Sequence, residues 1–307
     1  MYRSKSLKLL IDNFSQRRPI RGGSLIITVY GDAIAPRGGT VWLGSLIKLL
    51  EPLGLNQRLT RTSVFRLAKE NWLSAEQIGR RSYYSLTGSG RRRFEQAFKR
   101  VFAVQYPEWD GKWVQILLSQ VTAEKRKEAR EQLQWQGFGS LAPTVLLHPQ
   151  ADMVEVKTTL QELGVLEDTI IFSTLAEELA TSGAMRSLVK ECWNLEQLSE
   201  HYELFLNQFR PVWQEFSQQD RLDPQQCFMA RTLLAHEYRK VLLSDPLLPE
   251  VLLPGDWEGR AARQLCRNLY RLIWEPAEQH LQTVLETAEG PLPEPDPSFY
   301  KRYGGLR

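Results

Sequence analysis

The chain has 307 residues, of which 42% are hydrophobic and 24% are charged, and its 39 Lys and Arg exceed its 36 Asp and Glu by only three. It is long enough for two or three domains with cores of their own, and no apolar run is long enough for a membrane span or a signal peptide. Three cysteines without a CxxC pair and four dispersed histidines argue against a disulfide framework or a zinc site, so we expect a cytoplasmic protein that holds no metal.

Residues 1–103 are strongly basic, with 19 Lys and Arg against 6 Asp and Glu, and their pattern predicts helices followed by a β-hairpin. The apolar segment "GSLIITVYGDAI" precedes an amphipathic helix in "TVWLGSLIKLLEPLG", for which we expect Thr40 to be the N-cap. A third helix is predicted from about Asn56 to Asn71, and "WLSAEQIGRRSYYSLT" then alternates like two short strands. Three helices followed by a hairpin are the order of a winged helix-turn-helix domain.

The predicted third helix has an apolar face and a basic face. At about 100° per residue, Val64 and Leu67 turn towards the core, whereas the opposite side is polar and basic and is flanked by Phe65. Arg, Lys and Thr on such a face can contact guanine, phosphate and the thymine methyl group in a major groove. We predict DNA contacts from nine residues of this helix and the hairpin: Arg58, Arg61, Thr62, Ser63, Arg66, Lys69, Arg80, Arg81 and Tyr83. The alternative is a solvated helix beside an unrelated basic turn.

Residues 104–184 have the pattern of a small α/β domain. The segments "KWVQILLSQV", "LAPTVLLHP" and "DTIIFSTL" are predicted strands, and "AEKRKEAREQLQWQGF" and "MVEVKTTLQELGV" are predicted helices between them. This order is typical of a ferredoxin-like domain. The first strand ends in Ser119 and Gln120 rather than in a metal-binding carboxylate, which argues against catalysis in this domain.

Residues 185–307 are predicted to be mainly helical, so the chain is expected to be an α+β protein of three domains: 1–103, 104–184 and 185–307. A proline-rich loop, "SDPLLPEVLLPGDWEG", separates the first long helices from "RAARQLCRNLYRLIW". Four arginines line one side of that last helix, where they either bind ligand phosphates or form a solvated face: Arg260, Arg263, Arg267 and Arg271. The tail "EGPLPEPDPSFYKRYGGLR" is expected to lie extended over the surface or to be a mobile end.

The chain has none of the common short motifs of enzyme active sites. A P-loop, GxGxxG, GxSxG and HExxH are all missing from the sequence, and "HEYRK" at His236 has Lys240 where a zinc protease has its second histidine. The sequence therefore predicts a protein that is not an enzyme and that needs no cofactor.

Several longer segments resemble the PaaX-type repressors of phenylacetic acid catabolism. The resemblance is carried by "SLIITVYGDAIAPRGGTVWLGSLIKLLEPLGLNQRLTRTSVFRLAKENWL", "IGRRSYYSLT", "PEWDGKW", "QLQWQGFGSLAP", "FRP" at residues 209–211, "DPLLPEVLLP" and "ARQLC". These segments run from about residue 20 to the C-terminal region, and "WDGKW" and "WQGFG" are specific motifs rather than features of composition.

The resemblance implies a fold, a function and an effector. It implies a winged-helix DNA-binding domain in a GntR-like dimeric repressor, with a central ferredoxin-like domain similar in fold to a small CRISPR adaptation nuclease. It also implies that phenylacetyl-CoA releases the repressor from operators of phenylacetate degradation genes. By position, "RTSVFRL" supplies Arg61, Thr62, Ser63 and Arg66 to the recognition helix, and "GRR" supplies Arg80 and Arg81 to the wing.

An effector of this kind sets the chemistry expected of its site. CoA carries phosphates and the phenyl group is apolar, so Arg or Lys should combine with aromatic side chains between the central and C-terminal domains. Seven residues are the candidates: Trp113, Trp135, Trp193, Arg210, His236, Arg239 and Arg263. Two alternatives stay open at this point, a nonspecific nucleic-acid-binding protein and a CoA-ester-processing enzyme with a DNA-binding domain.

Overall fold

The computed structural model describes residues 4–17, 22–102, 108–175 and 183–306 of an α+β protein. The helices are α1 (Lys5–Gln16), α2 (Gly22–Val29), α3 (Leu43–Leu50), α4 (Gln57–Lys69), α5 (Gly88–Val101), α6 (Ala123–Trp135), α7 (Met153–Glu162), α8 (Gly183–Cys192), α9 (Leu195–Ser217), α10 (Pro224–Leu242) and α11 (Glu258–Val284). The strands are β1 (Thr40–Trp42), β2 (Leu73–Ile78), β3 (Arg81–Leu86), β4 (Lys112–Leu117), β5 (Gly139–Ala142), β6 (Val145–His148), β7 (Ile170–Leu175), β8 (Glu286–Thr287) and β9 (Gly290–Pro291).

Contacts divide the chain into two compact units that differ from the three segments predicted. The first unit comprises Met1–Val104, Glu203–Lys240 and Arg260–Arg307, and the second comprises Gln105–Tyr202 and Val241–Gly259. The basic N-terminal third therefore shares its unit with most of the C-terminal helices, because these helices supply buried partners to its side chains.

In the first unit the third predicted helix is confirmed as α4. Asn56 caps it, because its side chain accepts a hydrogen bond from the Leu59 amide at 2.9 Å. Thr60, Val64 and Leu67 are buried, and α4 packs against α2 and α3.

The N-cap predicted at Thr40 is wrong. Thr40, Val41 and Trp42 form β1, which pairs with β3 in antiparallel register, and the helix begins only at Leu43. The Thr40 hydroxyl lies 2.8 Å from that of Ser85 across the pair. A three-residue strand is too short for a periodic signal, and its pairing partner lies far along the chain, so the local pattern favoured a helix.

The predicted hairpin is confirmed and forms a three-stranded antiparallel sheet in the order β1-β3-β2. Ile78 pairs with Arg81, so only Gly79 and Arg80 make the turn. Gly79 has a φ of 61°, a left-handed conformation that glycine adopts without steric cost and that two-residue hairpin turns require.

The N-terminal helices of the first unit are fastened to α10 and α11 by buried polar contacts. The Thr28 hydroxyl lies 3.1 Å from Nδ1 of His236, and Arg239 donates to the Ser24 hydroxyl at 2.9 Å. Tyr270 on α11 donates to the Asp32 carboxylate at 2.7 Å. These contacts join residues more than 200 positions apart in the sequence.

At the centre of the first unit lies a buried ionic cluster of Asp32, Arg37, Arg231, Glu278 and Arg302. Arg231 Nε is 2.9 Å from Asp32 Oδ2, and a second nitrogen of Arg231 contacts Glu278. Arg302 Nη1 is 3.0 Å from Asp32 Oδ1, and Arg37 contacts Glu278. None of the five side chains is more than 10% exposed.

We expected the tail to lie extended over the surface or to be a mobile end, and only its proline-rich part, residues 293–298, is irregular and mostly exposed. The tail begins with β9, which pairs with β8 just before it, and it also contains a short 3-10 segment, Phe299–Gly304. Phe299 and Tyr303 are at most 1% exposed, and Arg302 belongs to the ionic cluster. Aromatic residues that follow the prolines therefore anchor the tail in the core.

The second unit contains a four-stranded antiparallel sheet in the order β5-β6-β4-β7, with helices after β4 and β6. Residues Ile116, Leu133 and Leu160 are fully buried in the core between sheet and helices. The single strand predicted in "LAPTVLLHP" is wrong, because the chain turns at Pro143 and Thr144 and forms β5 and β6. Proline lacks the amide hydrogen that a strand interior needs and favours such a turn.

Candidate nucleic-acid interface

The outer face of α4 is a continuous basic surface. Five of the predicted contact residues are exposed there: Arg58, Arg61, Thr62, Arg66 and Lys69. The helix contains no acidic residue, and the neighbouring Glu70 carboxylate is 3.7 Å from Arg66 Nε, with 61% of the Arg66 side chain exposed. This face can approach a polyanion without first displacing a buried contact.

Phe65 lies in the middle of this basic face and is 58% exposed. The Lys69 ammonium is 5.1 Å from the centre of its ring, a cation–π arrangement. The sequence pattern placed Phe65 only at the flank of the face. Its spacing of seven residues from Arg58 and four from Lys69 is the signal that identifies its position, because residues three, four or seven apart align on a helix.

Two predicted contact residues are not accessible in this structure. Ser63 is 5% exposed on the inner side of α4, and Tyr83 is 5% exposed on β3, where it pairs in register with Trp42 and Glu76. Their positions were predicted from spacing and from proximity to basic residues, and both side chains instead belong to the core beneath the surface.

The two arginines of the hairpin differ: Arg80 is free to meet solvent, whereas Arg81 is engaged in an ion pair. Arg80 is exposed at the turn. Arg81 forms an ion pair with Glu286 of β8 at 2.7 Å, and its guanidinium lies 4.2 Å from the centre of the Trp42 ring. Glu286 is 205 positions from Arg81, so no local pattern could predict this pair.

The three tryptophans proposed for the effector site lie in the second unit, and the structure does not bring all three together. Trp113 and Trp193 are buried with their rings 6.2 Å apart, and Trp193 donates to the Gly137 carbonyl at 2.8 Å. Trp135, by contrast, is 75% exposed at the end of α6. Trp113 and Trp193 therefore have the contacts of core residues.

The four basic candidates lie in the first unit. His236 is buried against Thr28 and the edge of the Phe14 ring, and burial lowers its pKa to about 3, so it is neutral at physiological pH. Arg239 is buried and bonded to Ser24, whereas Arg210 is exposed on α9 and Arg263 is half-buried on α11. Neither unit by itself combines all seven predicted effector residues in one site.

In the part of the chain that the structure describes, metal-binding clusters are absent and the three cysteines are poorly reactive. Within 4–17, 22–102, 108–175 and 183–306, no three His, Cys, Asp or Glu side chains are placed to hold a metal ion. Burial raises the pKa of Cys192 to about 11 and those of Cys227 and Cys266 to about 12, so these thiols are poor nucleophiles at neutral pH. In the same part of the chain, no helix has the length and apolarity that crossing a membrane requires.

Comparisons with known proteins give a consistent family assignment. The model for the PaaX-like protein matches residues 21–90, that for the PaaX protein central Cas2-like domain matches 106–186, and that for the PaaX-like protein C-terminal domain matches 193–283. The transcriptional repressor PaaX of Escherichia coli (strain K12) is 41% identical over 301 residues, which make up 96% of this chain and 95% of that protein.

The fold is similar to that of a solved structure. The uncharacterized protein Rv0674 from Mycobacterium tuberculosis superimposes with a TM-score of 0.55 over 83% of this chain and 97% of that chain. The two sequences are 20% identical, so this likeness concerns the fold only.

Proposed function

The chain belongs to the PaaX family, and from this membership we propose that it is a DNA-binding transcriptional repressor of phenylacetate catabolic genes. The observation that carries the proposal is the exposed face of α4, which presents four cations and no acidic residue of its own helix. A helix with such a face can lie in a major groove, where Arg66 would read a base edge and Lys69 would contact phosphate.

The N-terminal part of the first unit would act as a winged helix. The succession of α2, α3 and α4 and the sheet order β1-β3-β2 support this, with α4 as the recognition helix and the β2–β3 hairpin as the wing. Arg80 at the wing tip would contact the DNA backbone. Ser63 and Tyr83 are left out of the contact set because they are buried.

In the second unit, the order strand–helix–strand–strand–helix–strand from β4 to β7 supports a ferredoxin-like domain. We assign it no catalytic role. The repressor would bind its operator as a homodimer, with one recognition helix in each half-site of a pseudo-palindrome.

Release from the operator would be a population shift. Phenylacetyl-CoA would bind more tightly to a dimer geometry whose recognition helices no longer match the half-site spacing, so ligand binding and operator binding would oppose each other. The effector needs no chemistry at the protein for this, since the difference in its affinity for the two geometries is sufficient.

The test is fluorescence anisotropy of labelled promoter DNA from the neighbourhood of the protein's own gene. The protein is titrated into this DNA and into a scrambled duplex, with and without phenylacetyl-CoA, phenylacetate and CoA. We expect tight binding to the promoter alone, lost only with the thioester. Equal affinity for the scrambled duplex would favour nonspecific nucleic-acid binding, and turnover of phenylacetyl-CoA by the purified protein would favour a CoA-ester-processing enzyme.

A further inference from the structure

The buried ionic cluster carries more positive than negative charge. It contains three guanidinium groups, Arg37, Arg231 and Arg302, and two carboxylates, Asp32 and Glu278. A buried charge without a counter-charge is costly because the protein interior solvates it poorly. Burial, followed by the positive charges of Arg231 and Arg302, lowers the pKa of Arg37 to about 10. The cluster therefore creates a positive potential in its surroundings.

One cavity of the first unit, here called the α5 cavity, adjoins this cluster. It has a volume of about 340 Å³, and its wall includes Phe94 and Phe98 of α5, Phe102 directly after this helix, and Arg302 of the cluster. Phe98 can lie there only because residue 31 is glycine, since a Cβ at Gly31 would be 2.1 Å from the Phe98 ring. Phe94 and Phe98 are buried, so they give the cavity an aromatic floor.

The rim of the α5 cavity is polar and exposed. Arg91 and Lys301 supply positive charge, and Glu95 and Asp296 supply negative charge. The Asp296 carboxylate already accepts a hydrogen bond from the Ser298 amide at 2.8 Å and another from its hydroxyl. The Arg302 guanidinium is 4.0 Å from the centre of the Phe102 ring, so charge and aromatic surface lie side by side.

These features favour a small ligand in which a flat apolar ring carries a negative charge close by. A volume of 340 Å³ is at the lower end of the range for ligand sites, about 300–1,000 Å³, and is enough for one ring and a short acid chain. In a CoA thioester of an aromatic acid, the carbonyl next to the ring is uncharged. The charged phosphates of the CoA lie far from the ring, at the other end of a long arm. The adjacent charge therefore favours the free acid over the thioester.

We propose that the α5 cavity binds a single-ring aromatic carboxylate, with the ring against Phe94 and Phe98 and the carboxylate at Arg91 and Lys301. This ligand is separate from the effector of the proposed function. Because α5 begins two residues after β3 ends, the ligand would contact the helix that continues directly from the hairpin.

The experiment is isothermal titration of the full-length protein with phenylacetate. Acetate supplies the charge without the ring, phenylacetamide supplies the ring without the charge, and phenylacetyl-CoA supplies the ring as a thioester. We expect phenylacetate to bind with a Kd on the order of 0.1–1 mM and phenylacetamide to bind at least about tenfold more weakly. Acetate should not saturate, and the thioester should not compete with phenylacetate for this cavity.

Variants locate the binding. Ala35 lines the α5 cavity, so Ala35→Leu should fill it and abolish phenylacetate binding. Arg91→Gln combined with Lys301→Gln should weaken binding about tenfold, and Lys8→Gln, an exposed lysine of α1 in the same unit, is the matched control. If Ala35→Leu does not fold, as judged from its thermal unfolding, the rim variants carry the test because both side chains are exposed.

Three results would overturn the proposal. The first is that phenylacetate shows no saturable binding up to about 20 mM, a concentration well above the expected Kd. The second is that acetate binds as tightly as phenylacetate. The third is that the rim variants bind phenylacetate as tightly as the parent protein does. None of these measurements involves DNA, so a failure of the repressor assignment, seen as missing operator binding, is distinguishable from a failure of this site.

Discussion

At the scale of single residues, Arg66 is the side chain of α4 whose loss should most affect sequence recognition. Its side chain is 61% exposed, its guanidinium lies close to Gly23 of α2, and its ion pair with Glu70, directly after α4, is long at 3.7 Å. Replacing Arg66 with Ala should cost about 1–3 kcal/mol of operator binding if it reads a base. Anisotropy titration measures this, with Arg221→Ala, an exposed arginine outside α4, as the control. Unchanged binding to operator and scrambled DNA would remove Arg66 from the base-reading set.

With α4 as the proposed recognition helix, Phe65 should recognise a thymine methyl group, since an exposed aromatic ring has few other partners in a major groove. Replacing thymines of the operator singly with deoxyuridine removes one methyl each. At one or two positions, the parent protein should lose affinity about fourfold, the worth of one buried methyl group, and Phe65→Ala should show no such loss.

The control for this prediction is Phe172→Ala, which removes an exposed phenylalanine of β7 and should behave as the parent does. A deoxyuridine penalty that is the same in the parent and in Phe65→Ala would show that another residue meets the methyl group.

His236 should make the protein less stable in mild acid. Burial lowers its pKa from 6.5 to about 3 in the folded state, so as the pH falls below 6.5 the unfolded chain takes up a proton that the folded protein does not. The free energy of unfolding should therefore drop by about 1.4 kcal/mol between pH 7.5 and 5.5 through this residue.

Urea unfolding at the two pH values measures this loss, and His236→Asn is the comparison because an amide can keep the contact with Thr28. In His236→Asn this part of the loss should vanish. A loss of the same size in both proteins would assign the pH dependence to other groups.

At the scale of structural elements, the β2–β3 hairpin, proposed above as the wing, is held next to its turn by the C-terminal β8–β9 hairpin. Arg81 contacts Glu286 and Trp42, so DNA phosphates would have to compete with a carboxylate for this arginine. Replacing Glu286 with Gln should tighten operator binding about two- to fivefold, the usual worth of an exposed ion pair.

Glu289→Gln is the matched control, because it removes the same charge from the turn of the same hairpin without touching Arg81. In an Arg81→Gln background, Glu286→Gln should have no effect. Tighter binding in that background would mean that Glu286 acts by general repulsion of DNA rather than through Arg81.

Elements with a strong local signal were predicted correctly, and elements that depend on distant partners were not. The capping residue Asn56, the apolar period of Val64 and Leu67, and the Gly79 turn are all local, and they define α4 and the hairpin. β1 exists because Thr40–Trp42 finds a partner in β3 more than 40 positions later. Likewise, the burial of Phe299 and Tyr303 orders the end of the tail, although its proline-rich composition predicts an irregular segment.

The same distinction applies to the candidate site. The exposed cations of α4 followed from helical geometry, which is a local property. Ser63 and Tyr83 were misplaced because burial depends on which neighbours pack against a side chain. The residues that line the α5 cavity come from three distant parts of the chain, and no spacing within the sequence brings them together.

At the scale of the whole molecule, a substitution that removes a phosphate contact should change the salt dependence of DNA binding twice as much in a symmetric dimer as in a monomer. Each phosphate contact contributes about −0.9 to the slope of log K against log salt concentration. Lys69→Gln removes one such contact from each protomer, so the slope should become less negative by about two, whereas Arg221→Gln should leave it unchanged. Titrations between 50 and 250 mM KCl, a range over which DNA affinity changes steeply, measure the slope. A change of about one would indicate one protomer per site.

The buried ionic cluster ties the N-terminal segment of these repressors to their C-terminal helices, so recombination should not separate the two. A fragment that stops at Val104 keeps Asp32 but lacks Arg231, Tyr270 and Arg302, which together neutralise and bond it. Of the cations in the cluster the fragment keeps only Arg37, and breaking a buried ion pair such as Arg231–Asp32 costs about 3–5 kcal/mol, a large share of the stability of a small domain. The N-terminal segment that carries α4, proposed above to read DNA, is therefore not expected to fold when it is fused alone to a foreign sensor domain. It must descend together with its own C-terminal helices, so new specificities in this lineage are expected to arise by point substitution on α4 rather than by exchange of parts.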